Sequence, residues 1–383
     1  MRAPPPRVIV SLPVTSGGLY SHVRNVIPYL LRQRPEWDFE VHAPEPVLSV
    51  VFGRTGEPWM RPWRGATKGA RAMWEFFTLP KLLLRDSKAL AYAPVGPFWN
   101  VRLASRAVVR LENLLALLEP DELVISAADV RRLRILRRIY LANARRARRP
   151  VCASEHSRDR YVAMTGLPAE RFAVIPHGVD LEGIERAGAG PEIEALVSGP
   201  PFLLTVGQAT PYRQTRELIL AYRLLAERSP VPPPRLVWVG SARPQDEAYE
   251  RECLRLLEPL RATGAAVHLP QIPQDQVFAL NRAALLFVHP SVHEDCPNTI
   301  FEAMAAGAPV VCHDIPANRE FVRDAAVYVE DSRPETLARV IREVVSVPAR
   351  LRELASKGRE RARSMRWEAT ASRVSAELAA AFR

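Results

Sequence analysis

The chain has 383 residues, 48% of them hydrophobic and 25% charged, and a formal net charge of +11. That length suits two domains, and that apolar content excludes an intrinsically disordered chain. Four cysteines without C-x-x-C spacing argue against a zinc site or a disulfide framework and for a reducing, cytoplasmic compartment. No run of about 18 apolar residues suggests a membrane span. The start, MRAPPPRVIVSLPV, has too short an apolar run for a signal peptide. The charge is lopsided: residues 1–180 carry 28 of the 53 basic residues but only 16 of the 42 acidic ones.

In chain order, residues 7–12 (RVIVSL) read as a buried strand and Thr15-Ser16-Gly17-Gly18 as a turn. Residues 19–32 follow as a helix, with Val23, Val26, Ile27 and Leu30 at helical spacing and Pro28 inside. Strand, glycine turn and helix open a doubly wound α/β domain, whose ligand loops lie at the carboxyl edge of the sheet. There is no G-x-G-x-x-G, so nothing argues for a dinucleotide. Residues 38–42 are a second strand. Residues 44–100, rich in tryptophan and proline, read as loops that choose a substrate or as an inserted helical hairpin. A helix is expected over 101–118 and a strand over 122–126. Nine arginines then run from Arg131 to Arg149 around a narrow apolar stripe of Leu133, Leu136, Ile139 and Tyr140. Such a helix has a solvated face, lies on anionic membrane or binds phosphate backbones. No nucleic-acid-binding motif accompanies the charge, so nucleic acid is the weakest of the three. Residues 151–154 and 172–176 are strands around a helix that starts at Glu155.

Residues 183–200, rich in Gly, Pro and Ala, read as a linker. Strands are expected over 202–206, 235–240, 266–269, 284–288, 309–312 and 326–329, with helices between them. The loop from Gly207 to Arg213 follows the first of these strands. Residues 271–276 lead into a short helix. Two helices, 335–345 and 348–365, precede a terminal helix beginning at Trp367.

The stretch VHPSVHEDCPNTIFEAMAAGAPVV carries the most chemistry. Glu294 stands in a loop at the carboxyl end of a strand, and Glu302 in the first turn of a helix eight positions on. The amides at the start of that helix form an anion site. An anion flanked by two carboxylates suits a nucleoside diphosphate with sugar hydroxyls on either side. The bland alternative is a capping box, Thr299-Ile-Phe-Glu302. No Asp-x-Asp pair or metal motif is present.

The same stretch resembles the E-x7-E signature of retaining GT-B glycosyltransferases of the group 1, family 4-like type. Glu155-His156-Ser157-Arg158, His177-Gly178-Val179-Asp180, Ile315-Pro-Ala-Asn-Arg-Glu320 and Trp367-Glu368-Ala-Thr-Ala371 are similar to further segments of that family. The likeness is close over about 172–372, fair over the first 35 residues and 151–160, and poor from about 44 to 120. It implies two Rossmann-like α/β domains, 1–180 and 181–366, facing across a cleft, with 367–383 crossing back onto the first. It implies transfer of a sugar from a nucleotide diphosphate to an acceptor hydroxyl with retained configuration, without cofactor or metal. Glu294 would position the donor sugar and Arg213 would stabilise the leaving group. Glu302 would hold the ribose. Pro297, Asn298, Thr299, Gly207, Gln208, Gly17 and Gly18 would lie near the donor, with His177 and His156 as lesser candidates. The acceptor would be a lipid-linked or polysaccharide hydroxyl, and the basic segment 131–149 a peripheral membrane contact. Two departures stand out. Gln208 is neutral where the family carries a cation, and the strand at 122–126 ends without the family's histidine. Both motivate a scaffold that kept the fold and lost turnover; a sugar-nucleotide epimerase is a smaller possibility.

Overall fold

The structure, a computed structural model, describes residues 5–12, 18–53, 56–63, 68–119, 127–228 and 232–383. Gly17 and the strand expected over 122–126 lie outside the described residues. The described residues divide into two compact units: those up to 178 together with the terminal helix, and residues 179–366.

In the first unit, β1 (Arg7–Ser11), β2 (Asp38–Pro44), β3 (Met60–Trp63), β4 (Leu90–Ala93), β5 (Ala107–Arg110), β6 (Arg149–Cys152) and β7 (Ala173–Val174) form a sheet ordered β3-β2-β1-β4-β5-β6-β7. Every pairing is parallel. The second unit repeats the plan with β8 (Phe202–Val206), β9 (Arg235–Val239), β10 (Ala266–Leu269), β11 (Leu286–His289), β12 (Val310–His313) and β13 (Ala326–Val329), ordered β10-β9-β8-β11-β12-β13. Parallel strands are sandwiched between helices, which is why they read as apolar runs such as FLLTV and RLVWV.

Two expectations are overturned. Residues 101–118 are not a helix: a 3-10 turn (Leu103–Arg106), β5 and a second 3-10 turn (Leu114–Leu117) occupy the stretch. Residues 183–200 are not a free linker. Helices Leu181–Arg186 and Gly190–Val197 bury Ile184, Ile193 and Leu196 in the core of the second unit. Asp180 caps the first of them by accepting from the Gly183 amide at 2.8 Å. The segment 44–100, left open between loops and a hairpin, holds β3, β4 and a helical arm. That arm runs Lys68–Met73, a π-turn Trp74–Thr78, then Leu79–Arg85.

The terminal helix Trp367–Phe382 places Trp367, Ala371, Val374, Leu378 and Ala381 at helical spacing, and all five are buried in the core of the first unit. Polar ties hold its flanks: Tyr29 donates to Glu368 at 2.6 Å, Thr370 to Pro176 O at 3.0 Å, and Arg149 pairs with Glu377 at 2.5 Å. Leu378 is fully buried there. Leu378→Ala is therefore expected to cost about 3 kcal/mol of unfolding free energy in urea titration, a loss that the exposed position Glu360→Ala would not reproduce.

Candidate functional site

In the second unit the strand order reverses between β8 and β11, and in open parallel sheets ligands bind at such a switch point, beyond the carboxyl ends of the strands. Two loops leave from there, residues 207–214 after β8 and 290–297 after β11. They are stitched together by the main chain, the Val292 amide donating to Tyr212 O at 3.0 Å. A neighbouring turn presses on the first loop. Gly240, at the end of β9, has φ +146, and a Cβ there would stand 1.8 Å from Gly207 O, so only glycine fits.

Arg213 and Glu294, the two catalytic candidates, meet across these loops. The Arg213 Nη1 donates to Glu294 Oε1 in a short ion pair. The same carboxylate oxygen takes a second hydrogen bond from His289 Nε2 at 2.8 Å, and His289 Nδ1 lies 3.5 Å from Thr299 Oγ1. An ionised carboxylate only accepts, so Nε2 carries the ring proton and Nδ1 is left to accept from Thr299. Burial pushes the Glu294 carboxyl up, but the Arg213 charge and the His289 hydrogen bond outweigh it and hold the group below the usual carboxylate range. Burial lowers His289 more than Glu294 raises it, so the imidazole is neutral. His289, the last residue of β11, went unselected in the sequence because His-Pro there marks only a strand boundary.

The helix Asn298–Ala306 begins after Pro297, with no side-chain cap. Glu302 therefore sits in its second turn, not its first, and the capping box is not formed. The Asn298 amide bonds Cys296 O, and those of Ile300 and Phe301 bond Pro297 O. Among the described residues this leaves the Thr299 amide as the free donor of the helix end. Among the described residues the buried atoms Arg213 Nε, Thr210 Oγ1 and Asn298 Oδ1 also have no hydrogen-bond partner. Such atoms carry a desolvation cost until a ligand meets them.

Glu302 has a different environment. Burial pushes its carboxyl up to about 7, with Asp180 adding repulsion and a hydrogen bond from Gln274 opposing both. Gln274 opens the helix Gln274–Ala283, so the segment 271–276 leads up to Glu302. Gly207 lines the turn after β8, and Gln208 beside it is exposed. Gly18 starts the first helix, Gly18–Gln33.

The histidine candidates belong to the first unit. His156 is half-buried in the first turn of the helix Glu155–Thr165. His177 is buried and 3.0 Å from Glu112 Oε1. No motif hints at its neighbours: Arg110, fully buried, pairs with Glu112, and His22 bonds Tyr92 Oη at 3.1 Å. Ligand atoms of His22, Glu112 and His177 all lie within 4.8 Å of one another. The Glu112 carboxylate is already neutralised by the Arg110 guanidinium, so a metal cation there would bring charge with no carboxylate left to offset it. The cluster is better suited to joining β5, the first helix and the loop after β7. Burial alone would raise Glu112, yet Arg110 and His177 hold it far below the usual range.

Two parallel sheets of this strand order, each with a switch point, define the GT-B class. A family model described as "Glycosyl transferases group 1" matches residues 190–364, and one described as "Glycosyltransferase Family 4" matches 16–182. The chain belongs to the GT-B glycosyltransferases of this group 1, family 4-like type. It is 28% identical over 211 residues to a D-inositol 3-phosphate glycosyltransferase of Rhodococcus erythropolis, covering 54% of this chain and 48% of that one. It is 26% identical over 219 residues to O-antigen chain mannosyltransferase B of Escherichia coli, covering 56% of each. The chain thus spans about half the length of the curated relatives it matches. In fold it is similar to Anabaena HepE in complex with UDP and glucose, with a TM-score of 0.72 at 17% identity over 98% of this chain and 99% of that one. No helix among the described residues is long and apolar enough to cross a membrane.

The raised Glu302 carboxyl makes a pH signature. Its folded pKa of about 7 exceeds the ordinary 4.5, so the native state holds an extra proton between those values. Stability present at low pH is then lost as pH rises through that window. The amide of Glu302→Gln cannot ionise. Urea unfolding at pH 5 and pH 8 is expected to favour the variant over wild type by about 2 kcal/mol more at pH 8 than at pH 5.

Proposed function

We propose that the chain moves a sugar from a nucleoside diphosphate to an acceptor hydroxyl with retention at the anomeric carbon, in glycan or glycolipid synthesis. The observation that carries this reading is the Thr299–His289–Glu294–Arg213 chain at the switch point of the second unit, set beside unpartnered Arg213 Nε and Asn298 Oδ1. Those orphan groups and the Thr299 amide are the donors and acceptors a diphosphate and its sugar would engage. That a similarly folded protein holds UDP and glucose supports a donor of the same kind.

On this reading the anomeric carbon–oxygen bond to the diphosphate breaks and the acceptor oxygen bonds the same face of that carbon. The acceptor's proton passes to the leaving phosphate. Arg213 and the helix end meet the charge that develops, so no metal is required. Glu294, held ionised, orients the sugar rather than attacking it. Glu302 holds the ribose hydroxyls, and it accepts both hydrogen bonds best once ionised, so donor affinity rises with pH through about 7.

Acceptor choice falls to the first unit, and the enzyme works in the cytoplasm, peripherally on membrane. The arginine-rich segment 131–149 is helical only to Arg146, Arg149 already opening β6, and it is a weaker membrane contact than its sequence suggests. Arg137 donates to Ala116 O and Glu119, Arg145 to Met164 O, Arg148 to Ala381 O, and Arg149 pairs with Glu377. A second reading, a donor-binding scaffold without turnover, draws on exposed, neutral Gln208 and on an Arg213 already committed to Glu294.

Thermal denaturation with UDP, GDP, ADP, dTDP and CMP in EDTA tests the donor site. One diphosphate is expected to raise Tm, by the equivalent of about 2.7 kcal/mol at a hundred times its Kd; no shift with any of them would remove the proposal. With donor and acceptor identified, Arg213→Ala is expected to lower kcat by about 100-fold, while Glu302→Ala mainly raises donor KM. Binding without turnover in wild type would select the scaffold.

A further inference from the structure

The helical arm of the first unit carries a surface that the donor site does not use. Among the described residues eight large hydrophobic side chains are exposed, and five of them are here: Met73, Phe76, Phe77, Leu84 and Trp99. Scattered single apolar residues need no explanation, but a contiguous cluster marks an interaction site. Leu84 is 79% exposed and Phe77 57%. Met73, Phe76, Phe77 and Leu84 all stand exposed along the arm. Beside them a groove of about 720 Å³ opens between the helix Leu79–Arg85 and residues 99–106, floored by Pro80, Leu83 and Leu103.

The arm is held rigid from below. Trp74 packs on Trp63 with ring centroids 4.7 Å apart. Glu75, completely buried, pairs with Arg71 at 2.6 Å and accepts from the Trp99 amide at 2.7 Å. The π-turn Trp74–Thr78 inserts its extra residue here, so Trp74 and Glu75 face inward while Phe76 and Phe77 both face out. Arg106 fixes the far end by donating to the carbonyls of Leu83, Asp86, Ser87 and Ala89.

Charge selects the occupant. Lys81, Arg85, Lys88 and Arg102 are exposed around the apolar face. The segment's two carboxylates are both withdrawn: Glu75 is buried, and half-buried Asp86 accepts from the Lys88 amide at 2.9 Å. Rigid aromatic and aliphatic side chains ringed by cations match the boundary of an anionic bilayer, where apolar tips enter the acyl region and ammonium and guanidinium groups meet headgroup phosphates. A second copy of the same face would instead oppose cation to cation.

We propose that the first unit docks on an anionic lipid bilayer through this face, with Phe77, Leu84 and Trp99 inserted and Lys81, Arg85 and Arg102 on the headgroups. This docking deepens the peripheral membrane placement proposed above by naming the surface, and it is independent of the donor site. The test is co-sedimentation of the full chain with phosphatidylcholine vesicles, with and without phosphatidylglycerol. Wild type is expected to bind the anionic vesicles, more weakly as salt rises. The double variant Phe77→Ser, Leu84→Ser is expected to bind at least about tenfold more weakly with Tm unchanged, because both side chains already face solvent. The variant Arg131→Glu, Arg138→Glu, on the arginine-rich helix, is expected to keep most of the binding. Three results would overturn the proposal: no wild-type binding, undiminished binding by the serine variant, or loss confined to the glutamate variant. A concentration-dependent dimer in sedimentation velocity that the serine variant abolishes would also overturn it, by assigning the face to a second copy. The nucleotide thermal shift reads the second unit separately, so either proposal can fail alone.

Discussion

The second unit is governed by the reversal of strand order between β8 and β11. Where consecutive connections lead to opposite faces of a sheet, the loops leaving the two central strands diverge, and packing cannot close the gap between them. Polar groups that line it face partial burial without water. A lone carboxylate there would be costly, and so would a lone guanidinium. Glu294 and Arg213 answer each other from the two sides, and His289, standing at the end of β11 itself, gives the carboxylate a second hydrogen bond. The close approach of Gly240 to Gly207 is part of the same constraint, since the turns must crowd together to bring the loops within reach.

The first unit meets the same topology with a sealed interior. His22 of the first helix bonds Tyr92 of β4, the strand across the reversal from β1. Arg110 and Glu112 follow along β5 and its exit, and His177 and Trp367 close over them with rings at edge-on angles. A buried ion pair adds little net stability, but removing one partner is costly because the other charge stays buried. The cluster's effect is therefore specificity: it names which five segments meet. The terminal helix, entering with Trp367, belongs to that meeting point as much as to the core beneath it.

Much of this was legible from residues alone. β8 and β9 fall where continuous apolar runs between turns put them, because a central parallel strand has little choice of composition. The misread elements show where pattern fails. Leu103, Ala107, Leu111, Leu114 and Leu118 are spaced by three and four, a helical period, yet β5 takes the middle of that run. A strand buried on both faces needs no alternation, so the neighbouring strands β4 and β6 decide, not local periodicity. The Gly- and Pro-rich stretch after Asp180 was read by composition, although Leu181, Ile184, Ile193 and Leu196 already had the spacing of two short amphipathic helices. In the candidate site, Glu294, Glu302 and Arg213 were found by spacing and resemblance. His289 was not, since its role depends on an oxygen five residues away that only the loop's path brings back. Arg110 could not be found at all: nothing in a sequence separates a buried arginine from the many exposed ones of this chain.

The pairing of Arg213 with Glu294 bears on how the proposed reaction would run. The loop after β8 carries one cation, because Gln208 stands in the other place. A diphosphate arriving there must draw on a guanidinium that already serves a buried carboxylate. Arginine suits this double duty: its fork presents several donors in one plane, and Nε remains unpartnered while Nη1 holds Glu294. Lysine, a single ammonium on a flexible stem, would have to choose. Were the guanidinium to turn toward a phosphate, the His289 hydrogen bond would still hold Glu294 in place and favour its ionised form. The neutral imidazole would do this without adding a second charge to the site, and Thr299, at the head of the helix Asn298–Ala306, holds its tautomer. On that proposal donor, helix end and carboxylate would be coupled through one histidine, and a site with a single cation would depend on His289.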